Sequence, residues 1–130
     1  MVYDCNIVIV DDDHIILELL GIILEDIVSG EIISFSDSTK ALAFVKSEEM
    51  KKISLVICDW LMPDVTGLDI LAALRLHNNT CPFLMVTGSA TRKLVVDSMR
   101  LGASDFIVKP FVTADLSAKV ERLINEISID

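Results

Sequence analysis

Short runs of branched and aliphatic residues alternate along this chain with longer segments whose apolar positions recur every three or four residues. The runs predict strands over 6–10, 31–35, 54–58, 82–86 and 105–108. The periodic segments predict helices over 14–28, 39–47, 67–77, 92–101 and 114–127. Three of the strand candidates are continuous apolar runs, which suits a parallel sheet covered on both faces. In the last helix Leu116, Val120, Leu123, Ile124 and Ile127 share one face. Gly102 follows the fourth helix as a C-cap. Strand–helix units joined by right-handed crossovers predict an α/β, doubly wound (βα)5 three-layer sandwich, with the weak second strand at an edge.

The chain has 130 residues, enough for one domain with a sizeable core. We expect a single domain over 1–130 and no effector domain in this chain; there is no repeat, low-complexity stretch or linker. Although 52% of the residues are hydrophobic, no apolar run reaches the roughly 20 residues of a spanning helix. No signal peptide stands at the N-terminus. Cys5, Cys58 and Cys81 are odd in number and do not have zinc spacing, so they read as buried free thiols in a reducing cytoplasm. The net charge of -9 repels nucleic acid and anionic membrane, and direct DNA binding is not expected.

The chemistry sits where the runs end. Ile7–Val10 leads into Asp11, Asp12 and Asp13; Leu55–Cys58 into Asp59; Phe83–Val86 into Thr87; Phe106–Val108 into Lys109 and Pro110. As parallel strands, these runs would bring carboxylates, a hydroxyl and an ammonium to one edge of the sheet, where open α/β sheets bind ligands. Clustered carboxylates with open water positions suit Mg²⁺. Asp59 is a candidate nucleophile for a phosphoryl group. Pro63 and Gly67 shape the loop after it. Thr87 can donate to a phosphoryl oxygen, and its small neighbours leave the Gly88 N–H accessible. Lys109 can pair with the carboxylates, and Pro110 suits a cis bond that aims it inward. Singly, the acidic run reads as readily as a loop with Asp13 a helix N-cap, and Asp59, Thr87 and Lys109 read more readily as ordinary strand-end or loop residues. Jointly, reactive side chains stand at the same end of four strands.

Val-Asp-Asp-Asp at 10–13, Asp-Trp-Leu-Met-Pro-Asp-Val-Thr-Gly at 59–67, Val-Thr-Gly at 86–88 and Gly-Ala-Ser-Asp-Phe-Ile-Val-Lys-Pro-Phe at 102–111 together resemble the receiver domain of two-component response regulators, the CheY-like family. The resemblance implies a flavodoxin-like sheet of order 2-1-3-4-5. It implies that Asp59 is the phosphoacceptor. Asp12, Asp59 and the carbonyl of Leu61 would hold Mg²⁺, with Asp11 acting mainly through water. Thr87 and Lys109 would bind the phosphoryl group, and Thr87 and Phe106 would form the switch that remodels the fourth helix, fifth strand and fifth helix. Phe106 has no hydroxyl, so here the switch would act by packing. The implied partners are a sensor histidine kinase or histidine phosphotransfer protein, and a downstream protein or an effector domain; dimerisation on phosphorylation stays open.

Two local features adjust this. Leu61 is apolar and cannot orient an attacking water, and Ser89 is small and neutral, so slow autodephosphorylation is expected. The apolar positions of the first helix span roughly 240°, where a core-facing stripe needs about 100°. The excess reads either as tolerated exposed aliphatics or as a contact surface for a kinase, a phosphotransfer domain or a second copy. An aspartate-nucleophile phosphatase would need an acid at Leu61. A flavodoxin-like cofactor carrier would need a Ser/Thr/Gly-rich loop where the aspartates stand. A constitutive protein-binding module on the same fold is the remaining alternative.

Overall fold

The computed structural model describes residues 2–77 and 79–128. Its elements are β1 (Asn6–Val10), α1 (His14–Glu25), β2 (Ile32–Phe35), α2 (Ser38–Val45), a 3-10 turn (Glu48–Lys52), β3 (Ile53–Asp59), α3 (Gly67–Leu76), β4 (Phe83–Thr87), α4 (Arg92–Arg100), β5 (Asp105–Val108) and α5 (Thr113–Ser128). All strand pairs are parallel, in the order β2-β1-β3-β4-β5. The fold is therefore the expected one, with β2 at an edge.

The two-residue period of the strands divides the core. Ile7, Ile9, Leu55, Ile57, Leu84, Val86 and Ile107 face α1 and α5, meeting Leu20, Leu24, Leu116, Val120 and Leu123. Val8, Val10, Val56, Cys58, Phe83 and Met85 face the other side, meeting Ala41, Val45, Ile70, Leu71 and Leu74 of α2 and α3. Both faces are covered, which explains the continuous apolar runs. The helix starts are capped by Asp13, Asp37, Thr66 and Thr91, and Thr66 with Asp69 forms a reciprocal capping box. Gly102, at φ 101°, closes α4, and a Cβ there would lie 2.9 Å from the Arg75 guanidinium. Arg75 in turn donates to the carbonyls of Asn79, Cys81 and Gly102, tying α3, α4 and the start of β4 together.

Several boundaries differ from the sequence reading. Helix α1 stops at Glu25, and Ile27 and Val28 are buried beyond it in a turn, where Val28 bridges to Tyr3. Their apolar character marked burial and not helix. Strands β3 and β4 reach Asp59 and Thr87, so these residues end strands and do not begin loops. Cys58 and Cys81 are buried thiols, and burial pushes the Cys81 thiol up to about 12. Cys5 is only partly buried, contrary to expectation, because it precedes β1 at the margin of the sheet. The side chain of Ile127 lies outside the described residues. On α1, Leu17, Leu20, Ile23 and Leu24 are buried, whereas Ile15 and Ile22 are 75% and 64% exposed.

Candidate functional site

Strand register builds the site. Val10 pairs with Cys58, so Asp11 and Asp59, the residues that follow, stand side by side. Asp59 pairs with Val86, and Thr87 with Val108. The Lys109 N–H donates to the Thr87 carbonyl at 2.7 Å, and this places Lys109 beside the end of β4. The Lys109–Pro110 peptide is cis. From there the Lys109 ammonium reaches Asp11 Oδ2 at 2.7 Å and Asp59 Oδ1 at 3.2 Å.

Carboxylate oxygens of Asp11, Asp12 and Asp59 all lie within 4.8 Å of one another. Asp11 is 1% and Asp59 7% exposed, while Asp12 stands at the exposed mouth. Burial, and then the charge of Asp11, pushes the Asp59 carboxyl up to about 6; Lys109 pulls against this, and Asp12 adds to it. Burial alone would lower the Lys109 pKa, but its hydrogen bond to Asp11 and the charges of Asp11 and Asp59 outweigh that and raise it. Three carboxylates facing one ammonium leave an excess of negative charge, and a divalent cation with hard oxygen ligands fits that donor set. Asp11 is already committed on both oxygens: Oδ1 accepts from the Asp13 N–H at 2.9 Å and Oδ2 from Lys109. This leaves Asp12 and Asp59 as the carboxylates better placed to hold such an ion.

The loop after Asp59 is held at its base. The Trp60 N–H donates to Val86 O, and the Gly67 N–H donates to Trp60 O, each at 2.8 Å. At Gly67 a Cβ would lie 2.5 Å from the Asp59 carbonyl and 2.9 Å from Met85 Sδ, so the close approach requires glycine. Leu61, two residues after Asp59, is 67% exposed. The Pro63 carbonyl accepts a bond from Ser38 Oγ.

Thr87 is 1% exposed, and its hydroxyl faces its own loop, donating to Ser89 O at 3.1 Å and accepting from the Ser89 N–H at 3.0 Å. Gly88 is exposed beside it. Phe106 is half-buried against the α2/α3 side of the core. The Lys119 ammonium stands 5.8 Å from its ring centroid, within cation–π range. Asp105 pairs with Lys119 at 3.1 Å and also with Arg122, clasping β5 to α5. Beside this clasp a groove of about 440 Å³ runs between Phe106, Val108, Phe111, Val112 and Lys119.

Asp11, Asp12, Asp59 and Lys109 thus converge, with Thr87 and Gly88 on the same edge. The sequence reading missed Ser38 and the Asp105–Lys119–Arg122 clasp, since neither carries a local pattern. Among the described residues no helix is long and apolar enough to cross a membrane.

Comparison with known proteins gives a consistent result. The response regulator receiver domain family matches residues 7–121. The chemotaxis protein CheY of Pseudomonas aeruginosa is 30% identical over 125 residues, covering 95% of this chain and 98% of its own. The transcriptional regulatory protein FixJ of Bradyrhizobium diazoefficiens is 31% identical over 121 residues, covering 93% of this chain and 57% of FixJ. A response regulator receiver domain protein from Clostridium thermocellum superposes with a TM-score of 0.85 at 28% identity, covering 96% of this chain and 98% of that one. A CheY-like receiver domain protein from Methanospirillum hungatei does so at 0.83 and 31%, covering 95% of each.

Proposed function

We infer that this chain, which belongs to the response regulator receiver domain family of two-component systems, is a phosphoacceptor switch in which Asp59 takes a phosphoryl group from a histidine kinase or histidine phosphotransfer protein. The observation that carries this reading is the Lys109 ammonium, held 2.7 Å from Asp11 and 3.2 Å from Asp59 across the ends of three strands. An Asp59 carboxylate oxygen forms the new O–P bond as the N–P bond of the donor breaks, and the bonding pair leaves with the imidazole. Asp12, Asp59 and the Leu61 carbonyl would hold Mg²⁺, which neutralises phosphoryl charge when bound. Lys109 would exchange its carboxylate contact for a phosphoryl oxygen, and the exposed Gly88 next to Thr87 would offer its N–H. Thr87 would leave Ser89 and turn its hydroxyl to the phosphoryl group. Phe106 would then move into the space behind Thr87, and the α4–β5–α5 surface would repack for a downstream protein or an effector domain. Self-phosphorylation and slow hydrolysis would be its only catalysis. Intact mass after incubation with a small phosphodonor and Mg²⁺ tests the reading.

Two further results are expected. Leu61, exposed two residues after Asp59, presents only an apolar side chain. Leu61→Asn adds an amide able to orient water and should hasten loss of the phosphoryl group roughly tenfold, below the 10²–10⁴ of a proton-transferring group. Release of phosphate after removal of the donor measures it, and an unchanged rate would count against slow hydrolysis through Leu61. The exposed Ile15 and Ile22 of α1 offer apolar area near the site to the phosphodonor protein. Ile15→Ser with Ile22→Ser should weaken that complex about tenfold. Unchanged affinity in titration calorimetry would leave these residues as tolerated exposed aliphatics.

A further inference from the structure

We propose that Ser38 is a positioning residue for the acidic site: its buried hydroxyl braces a strained turn in the loop after Asp59 and thereby holds the Leu61 peptide in place. The proposal rests on the reading of Asp12, Asp59 and the Leu61 carbonyl as a Mg²⁺ site.

Ser38 is the first residue of α2 and is 4% exposed. A serine there could serve to cap the helix, but Asp37 already does so by accepting from the Thr39 N–H. The Ser38 hydroxyl points elsewhere. It donates to the Pro63 carbonyl at 2.6 Å and accepts from the Val65 N–H at 3.3 Å, bonds made to a loop that starts from a different strand. The Val65 N–H also donates to the Pro63 carbonyl at 2.8 Å, closing a three-residue turn around Asp64. Asp64 has φ 70°, in the left-handed region. An i to i+2 bond around a positive φ is the rare, strained hand of the γ-turn. A side-chain-bearing residue persists in such a conformation only when its surroundings impose it. Here the Ser38 hydroxyl binds both ends of the turn at once.

The loop turns this local brace into a constraint on the site. On one side of Leu61, Trp60 is fixed through both its N–H and its carbonyl. On the other, Met62 is buried and the carbonyl of Pro63 is held by Ser38. The Leu61 peptide spans these two anchors, while its side chain stands out in solvent. The loop therefore fixes the backbone of Leu61 and leaves its side chain free, as a residue contributing its carbonyl requires. Releasing the Pro63 anchor would let the strained turn relax and the Leu61 peptide move with it.

The test uses four proteins: wild type, Ser38→Ala, Asp64→Gly and the double variant. Amide hydrogen exchange is followed at Val65 without metal. Mg²⁺ affinity is read from the fluorescence of Trp60 without any phosphodonor. Ser38→Ala should speed exchange at Val65 about tenfold and leave the β3 amides unchanged. It should also weaken Mg²⁺ binding roughly three- to tenfold, at or below the lower end for outer partners of metal ligands. Glycine adopts a positive φ without strain, so in the Asp64→Gly background the Ser38→Ala change should alter Mg²⁺ affinity less than about twofold. Wild-type affinity and Val65 protection in Ser38→Ala would overturn the proposal. So would a loss of affinity that Asp64→Gly does not remove, since the hydroxyl would then act by some route other than the turn. Absence of Mg²⁺ binding by wild type would overturn the metal reading and the positioning role with it; Mg²⁺ binding indifferent to Ser38 would overturn the positioning role alone.

Discussion

Incubated with acetyl phosphate and Mg²⁺, the wild-type chain should gain one phosphoryl group in intact mass, and Asp59→Asn none. An asparagine keeps the size of the side chain but has no anionic oxygen to attack phosphorus. Asp11 does not substitute for it: both its oxygens are bonded, to the Asp13 N–H and to Lys109. Asp12 lies at the mouth, outside the reach of the Lys109 contacts that would steady a bound phosphoryl group. The effect should therefore be complete loss and not a slower rate. Chelating Mg²⁺ in the wild-type reaction should have nearly the same result. If no phosphoryl group is added, even from a phosphorylated histidine kinase, the domain would be better read as a constitutive binding module.

The second large effect concerns stability in metal-free protein. The Asp59 carboxyl is raised from 3.8 to about 6, chiefly by burial and then by Asp11. A group whose folded pKa is raised contributes stability that is fully present below the unfolded value and lost as pH rises through the folded one. Between pH 3.8 and 6 the folded chain keeps a proton that the unfolded chain has released. Above pH 6 it has lost that proton too, and the strain of the ionised cluster stands in full. The shift corresponds to about 3 kcal/mol, and access of solvent at the rim lowers this to roughly 2. Asp59→Asn should therefore be more stable than wild type by about 2 kcal/mol at pH 7.5 in chelator, and by much less at pH 4.5. Urea unfolding of both proteins across that range measures the difference. Saturating Mg²⁺ should close most of the gap at pH 7.5, because it stabilises wild type by binding the folded form. Parallel profiles at all pH values would mean that the three carboxylates sit together without strain.

Much of this arrangement was legible in the sequence, for a physical reason. A strand buried on both faces must be apolar throughout, so the first polar residue after each run marks where the strand leaves the core. Asp11 and Lys109 were located that way, and Asp59 and Thr87 to within one residue, since strand pairing continues through them. Register did the rest, because strands in parallel order bring those ends together. Period alone could not separate helix from buried turn at Ile27 and Val28, which are apolar in either case. The bonds of the Thr87 hydroxyl to its own loop at Ser89 are a choice between nearby partners that no pattern encodes. Ser38 was invisible because its partners lie 25 and 27 residues away. The Arg75 and Asp105 contacts were missed in the same way.

The ion pair between Lys109 and Asp11 joins residues separated by 98 positions. During synthesis, β1, β3 and β4 emerge with Asp11, Asp12 and Asp59 before the ribosome has added Lys109, whose ammonium pairs with Asp11 and Asp59. A chain at that stage carries Asp59 among repelling charges and lacks the edge strand that covers β4. On the proposed function, a copy cut off before β5 would lack the ammonium that steadies the phosphoryl group and would be unable to compete for the donor.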